Sequence, residues 1–229
     1  MTPPRIVPAS AELFVGLDGP ALQAAAQVAS AISLSKGESL FDQGEPARTC
    51  YVVLEGRIKL SQITPEGNQV VVHFIGPGEM LAVAAMFAGM GYPGNAMAVQ
   101  DCTLLGWDKP AITRLMERYP KIALNTLEVV GKRFQALQAR YSELATERVE
   151  RRIARAVLRL ARQAGRKVED GVLIDFPISR QDIAEMTGAT LHTVSRTMSA
   201  WESQGLVESG RQRIVIRQPH GLVKIAEEL

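Results

Sequence analysis

The stretch from Ser179 to Ser203 reads SRQDIAEMTGATLHTVSRTMSAWES. Ser179 supplies an N-cap hydroxyl, and Asp182 stands at the third following position, where its carboxylate completes a variant of the capping box. A short helix through Ile183, Ala184 and Met186 follows, and the small Ala184, four residues before Gly188, lets two crossed helices approach closely. Gly188 breaks this first helix for the short turn that such a pair requires. A second helix from Thr190 or Leu191 then buries Val194, Met198 and Trp201 and leaves His192, Thr193, Ser195 and Arg196 outside. Further on, Leu206-Val207 and Ile214-Val215-Ile216 flank Glu208-Ser209-Gly210-Arg211-Gln212, which predicts a hairpin. Two helices joined by a tight turn and followed by a hairpin make a winged helix-turn-helix.

Upstream, Val149, Ile153, Val157 and Leu160 predict an amphipathic helix from about Glu147 to near Gly165, with its arginines outward. The chain is slightly acidic up to Ala145 and basic after it. Much of the excess lies in Arg148, Arg151, Arg152, Arg155, Arg159, Arg162, Arg166 and Lys167. Such a run attracts polyanions or simply forms a solvated helix face. Before it, Leu127, Val130, Phe134, Leu137, Tyr141 and Leu144 recur at alternating spacings of three and four, a heptad seam. Its two readings are a parallel two-fold dimer, which we favour, and packing of the stripe on the chain's own β-domain.

Residues 34–108 change character. Short β-prone runs at Cys50 to Leu54, Arg57 to Ile63, Gln69 to Ile75 and Cys102 to Trp107 alternate with glycines, the rhythm of a barrel or sandwich. Pro65-Glu66-Gly67-Asn68 supplies turn chemistry between two of them, and a short helix is predicted around Pro20 to Ile32. A length of 229 residues accommodates two domains. The longest nearly apolar run, Met80 to Met90, is too short for a bilayer, and the start MTPPRIVPAS lacks a signal-peptide pattern, so a cytoplasmic protein without a membrane partner is expected. Cys50 and Cys102 form neither a CxxC site nor a disulfide framework, and two cysteines cannot hold a four-cysteine iron–sulfur cluster within one chain. No GxSxG, HExxH or P-loop pattern occurs, so no enzyme is expected.

Taken together, Phe41-Asp42-Gln43-Gly44-Glu45-Pro46-Ala47, Tyr51-Val52-Val53-Leu54-Glu55-Gly56, Gly76-Pro77-Gly78-Glu79, the long helix, and Ser179 to Ala184 through Thr193 to Arg196 resemble the CRP/FNR superfamily over nearly the whole chain. The resemblance implies an α+β chain in three parts. These are a cyclic-nucleotide-binding-type β-roll over 1–118, a dimerisation helix over 119–145 and the winged helix-turn-helix over 146–229. It implies a homodimeric, sequence-specific transcription regulator bound to double-stranded DNA, with RNA polymerase as a further partner. The cyclic-AMP-binding branch uses a glutamate for the ribose and an Arg-Ser pair for the phosphate. Aligned with these stand Val83 and Tyr92-Pro93, and Met80 to Ala98 has no charged residue. Cyclic AMP is therefore not expected, since a phosphate charge would be buried unpaired.

Met86-Phe87, Gly91-Tyr92-Pro93, Asn95 to Ala98 and Leu191 to Arg196 look most like Dnr/NnrR-type regulators, which are associated with nitric oxide, in some cases through haem. No haem ligand carries over by matching. Of the three histidines only His73, within Val70 to Ile75, is placed for sensing. It is either a haem ligand or an ordinary hydrogen-bonded strand residue. His73, Val83, Tyr92 and Pro93 form the candidate ligand pocket, haem the candidate cofactor, and no metal site is secure. Alternatives are a regulator without ligand and a thiol-redox regulator using Cys50 or Cys102. A cyclic-nucleotide-regulated enzyme or channel would need an effector domain that the sequence does not contain.

For DNA reading, the second helix enters the major groove and dimer symmetry calls for a palindrome. Arg196 is expected to take guanine O6 and N7, and Ser195 a thymine beside it. His192 stands where the family usually has a glutamate, so the cytosine contact of that glutamate is not expected here. By resemblance the site is TTG...CAA-like. Arg180, Gln181, Thr190, Thr193 and Arg211 are candidate phosphate contacts.

Overall fold

The computed structural model describes residues 6–227; the first five residues of the signal-peptide reading lie outside them. The chain divides into two compact units, 1–136 and 137–229.

In the first unit, α1 (Gly19–Gln27) precedes two antiparallel four-stranded sheets. The first has the order β1-β8-β3-β6, with β1 Ser30–Leu34, β8 Cys102–Asp108, β3 Thr49–Glu55 and β6 Met80–Leu81. The second runs β2-β7-β4-β5, with β2 Ser39–Phe41, β7 Asn95–Ala98, β4 Ile58–Ile63 and β5 Gln69–Ile75. A strand points successive side chains to opposite faces. Strand β3 therefore sends Cys50 and Val52 into one core cluster, with Phe14, Met80, Leu105 and Trp107, and Tyr51 and Val53 into another, with Phe41, Ile58, Tyr92 and Leu104. Burial on both faces explains why its sequence is a continuous apolar run. Gly56 turns the chain after β3 at φ +84°, where a Cβ would lie 2.3 Å from the Asp101 carbonyl oxygen.

The expected helix over Pro20 to Ile32 is shorter than predicted: from Ser30 the backbone pairs antiparallel with β8, Ser30 opposite Gly106. Between β6 and β7 lies α2 (Val83–Ala88), entered through Ala82 at φ 69°. After α3 (Lys109–Arg118) comes α4 (Lys121–Thr146), whose 26 residues extend about 39 Å. Its first turns hold the N-terminal segment in place. Asn125, buried, donates from Nδ2 to the carbonyls of Leu13 (3.0 Å) and Val15 (2.9 Å). Arg133 donates to Glu12 (3.1 Å) and to the Met80 carbonyl (2.6 Å).

The second unit contains the end of α4, then α5 (Val149–Ala164), β9 (Gly165–Val168), β10 (Gly171–Ile174), α6 (Arg180–Thr187), α7 (Leu191–Ser203), β11 (Val207–Gly210), β12 (Arg213–Ile216) and α8 (Pro219–Glu227). The wing strands belong to a four-stranded sheet of order β11-β12-β10-β9, of which the sequence reading anticipated only β11 and β12. Ile153, Val157, Leu160, Ile183, Val194, Met198, Trp201 and Leu222 are buried, as is the apolar run Ile214 to Ile216.

The arginines of α5 are not simply outward. Arg159 donates to both oxygens of Glu143 (2.8 and 2.9 Å), Arg151 pairs with Glu147 (2.6 Å), and Arg155 lies 3.7 Å from Glu143 and 3.4 Å from Glu147. Arg152 donates to the Thr187 and Glu147 carbonyls. These side chains satisfy carboxylates and helix-end carbonyls that packing has partly removed from water, so half of the run ties the end of α4 to α5 and α6. Arg148, Arg162, Arg166 and Lys167 are exposed, Arg166 paired with Asp175 (3.1 Å).

Candidate nucleic-acid interface

The capping box forms as the sequence predicts. The Ser179 hydroxyl accepts from the Asp182 amide (3.1 Å), and the Asp182 carboxylate accepts from the Ser179 amide (2.9 Å). Gly188 ends α6 in the left-handed conformation (φ 62°), its amide bonded to the Ala184 carbonyl. Thr190 caps α7 by accepting from the Thr193 amide (3.1 Å). Burial of Val194, Met198 and Trp201, with Trp201 Nε1 donating to Glu150 (3.1 Å), fixes the rotation of α7 about its axis. His192 and Arg196 are consequently exposed, one turn apart, with Ser195 and Thr193 half-buried beside them. Ser199, exposed one turn further on, extends the row, and sequence reasoning passed over it because serine carries no distinctive signal there.

Among the phosphate candidates, Gln181 is exposed and donates to Glu185 (2.8 Å). Thr190 and Thr193 share a hydroxyl contact of 2.9 Å at the start of α7, where helix amides favour anions. Arg211 is exposed at the wing tip, beside Gln212 at φ 58°. Arg180 is engaged within the fold. It is half-buried, and its guanidinium donates to Ser209 Oγ (2.6 Å) and to Glu202 (3.3 Å to each oxygen), because α6 starts beside the last turn of α7 and the first wing strand.

On α4, Leu127 (70 % exposed), Phe134 (59 %), Leu137, Tyr141 (74 %) and Leu144 form an exposed apolar row, joined by Leu124. Val130 departs from the expected seam: it is half-buried and packs against the core of the roll, as the neighbouring buried Val129 does.

The candidate ligand residues do not converge. Val83 lies in one core cluster and Tyr92 in the other. Tyr92 stacks on Phe41 at 3.8 Å, and its hydroxyl donates to the Thr49 carbonyl (3.0 Å). Pro93 is exposed, its carbonyl accepting from Gln62. His73 Nε2 lies 3.9 Å from the Glu79 carboxylate, with the imidazole about a third exposed (32 %). A cleft of about 610 Å³, lined by Pro46, Ala47, Arg48, Met86, Met90 and Lys109 among others, includes none of the four. The reason is topological: β3 and β8 separate the cores into which alternate residues point.

Burial pushes the Cys50 thiol up to about 12 and raises that of Cys102. No group of three or more His, Cys, Asp or Glu able to hold a metal occurs among the described residues, and none of their helices is long and apolar enough to cross a membrane.

Residues 31–119 match the cyclic nucleotide-binding domain model, and residues 151–225 match the Crp-like helix-turn-helix domain model. A CRP-like cAMP-activated global transcriptional regulator of Mycobacterium tuberculosis is 21% identical over 95% of this chain and 97% of its own length. The cyclic AMP receptor protein of Thermus thermophilus is 27% identical, over 83% of this chain and 85% of its own. The structure of FixK2 from Bradyrhizobium japonicum superposes with a TM-score of 0.77 at 23% identity, covering 88% of this chain and 99% of that one. A β-roll followed by a long helix and a helix-turn-helix of the Crp type, matched at both ends, places this chain in the CRP/FNR superfamily of homodimeric, DNA-binding transcription regulators.

Proposed function

We propose that the dimer reads a palindromic TTG...CAA-like site through His192, Ser195 and Arg196, acting in the cytoplasm as a regulator and not as an enzyme. The observation that carries this reading is the row on α7, exposed because Val194, Met198 and Trp201 anchor the opposite face. Arg196 takes the guanine with its two-pronged donor set, and Ser195 contacts the neighbouring thymine. Gln181, Thr190, Thr193 and Arg211 hold phosphates and set register. Titration of the protein onto palindromes with the guanine replaced symmetrically tests the reading: discrimination against the replaced site is expected, and equal affinity for both would refute it. Promoter-bound dimers of this kind work on RNA polymerase, which in vitro transcription from a promoter bearing the palindrome checks.

Control is assigned to the β-roll. Cyclic AMP, named for two of the relatives, is not carried over, because buried Val83 offers no acceptor and the Tyr92 hydroxyl is engaged with Thr49. Nitric oxide sensing rests on the branch resemblance alone. Haem on His73 is not adopted in this reading, since the imidazole is partly exposed and lies 3.9 Å from the Glu79 carboxylate. A thiol switch is disfavoured by the raised Cys50 and Cys102, since the thiolate is the reactive form. A ligand-independent regulator is the second reading, distinguished by DNA affinity that haem, nitric oxide, oxidants and nucleotides all leave unchanged.

A further inference from the structure

We propose that Arg180 is a positioning residue: it locks the wing onto the end of the recognition helix and so sets the geometry in which Arg211 and Arg196 meet DNA, instead of binding phosphate itself. The proposal rests on the DNA-reading role of α7 and the wing.

Three elements meet at this side chain. Arg180 opens α6, Glu202 lies in the last turn of α7, and Ser209 is in β11. Arg180 Nη2 donates to Ser209 Oγ (2.6 Å) and faces both Glu202 oxygens at 3.3 Å. The Ser209 amide donates to Glu202 Oε1 (2.9 Å), and the Ser209 hydroxyl also bonds that oxygen. A hydroxyl both accepts and donates, so arginine, serine and glutamate close a ring in which each member is held by the other two. Nη1 also points to the Ser195 carbonyl at 3.5 Å, a long contact that directs the guanidinium along the reading helix. Arg180 and Glu202 are each only 30 % exposed, so water screens the ring less than it screens an open surface pair.

The remaining wing charges act within the sheet. Glu208 pairs with Arg213 (2.6 Å) and with Arg217, and Arg217 with Asp170 (2.8 Å). These bonds stiffen the sheet but do not link it to α6 or α7. Ser209 makes that link, one residue before Gly210 and the tip that carries Arg211. A phosphate is satisfied by any cation at position 180; the ring uses the fixed fork of the guanidinium, with Nη2 on the hydroxyl and carboxylate while Nη1 faces the Ser195 carbonyl, which a single ammonium cannot do from one place.

The 229-residue chain and its Arg180→Lys, Arg180→Gln and Ser209→Ala variants are compared on the palindrome and on non-specific duplex across a salt series. Amide exchange of β11 and β12 is measured in the free proteins, with melting temperatures confirming that each variant is folded. Arg180→Lys and Ser209→Ala are expected to lose about tenfold on the palindrome while keeping non-specific affinity and salt slope. Their double variant should lose less than the product of the two, and exchange at Ser209 to Gln212 should accelerate. The proposal is overturned if Arg180→Lys and Ser209→Ala both match the wild type, with Arg180→Gln weakening specific and non-specific binding alike and lowering the salt slope by about 1.8, one phosphate contact per protomer of the dimer. Should the wild type fail to discriminate the palindrome, the DNA-reading assignment falls. The exchange measurement still decides whether the ring holds the wing, and unchanged exchange refutes it.

Discussion

Arg196 carries the largest share of specificity in this reading because it is exposed, unpaired among the described residues, and fixed to a helix whose rotation the core determines. Arg196→Ala is expected to cost about 1–3 kcal/mol of discrimination at the guanine, with melting temperature unchanged, as competition binding between the intact and guanine-replaced palindromes would reveal. Cys50 makes a prediction of another kind. Its thiol rises from 9.0 to about 12 because burial penalises the thiolate. The folded state therefore favours the protonated form, and that contribution is complete below pH 9 and is lost as pH climbs toward 12. Thermal melts should be insensitive to this group up to about pH 9 and then decline, and Cys50→Val should remove the first part of the decline. A thiol reagent that labels Cys50 at neutral pH without unfolding the protein would contradict the assignment.

Among the elements, α4 has the clearest unpartnered face. Phe134→Asp with Leu137→Asp should yield monomers in sedimentation velocity; an intact dimer would refute the seam. The heptad is visible in the sequence because a partner helix requires one stripe over many turns. The departure at Val130 is not, because the first half of α4 also packs on the roll and its apolar residues serve two surfaces. Capping box, helix break and wing were equally legible, each resting on local chemistry at Ser179, Asp182, Gly188 and Gly210. Where pairing is non-local, legibility stops. Ser30 to Ile32 continue an alanine-rich helical pattern, and only hydrogen bonding to β8 makes them a strand. Strand β9, reading Gly-Arg-Lys-Val, has little β-propensity and takes its conformation from β10. The charge run of α5 suggested a face for polyanions, and only the folded chain shows Glu143 and Glu147 beneath it.

At the scale of the whole molecule, those two glutamates offset a local excess of arginine. Glu143→Ala leaves Arg159 facing a partly buried site without its acceptor and should lower stability by about 2 kcal/mol, between the values for surface and buried pairs; differential scanning calorimetry measures it. Anaerobic titration with haem is expected to give no axial coordination that depends on His73, so wild type and His73→Ala should show the same absorbance. A spectrum that changes between them would restore haem as the sensor. The candidate pocket was the least legible feature, because a cavity depends on which faces of separate strands converge, and alternation along β3 and β8 divides Val83 from Tyr92.

The strap formed by Val7 to Leu17 has a practical consequence for anyone cutting this protein into parts. Leu13 and Phe14 fill the roll's core, Phe14 lies 5.2 Å from Trp107, and the Leu13 and Val15 carbonyls are the acceptors for a buried asparagine on α4. A fragment beginning at β1 would contain every strand of the roll, yet it would open an apolar trough along Trp107 and strand Asn125 without its acceptors. Such a fragment should aggregate or bind apolar dyes, because Val7 to Leu17 function as a structural wall of the domain.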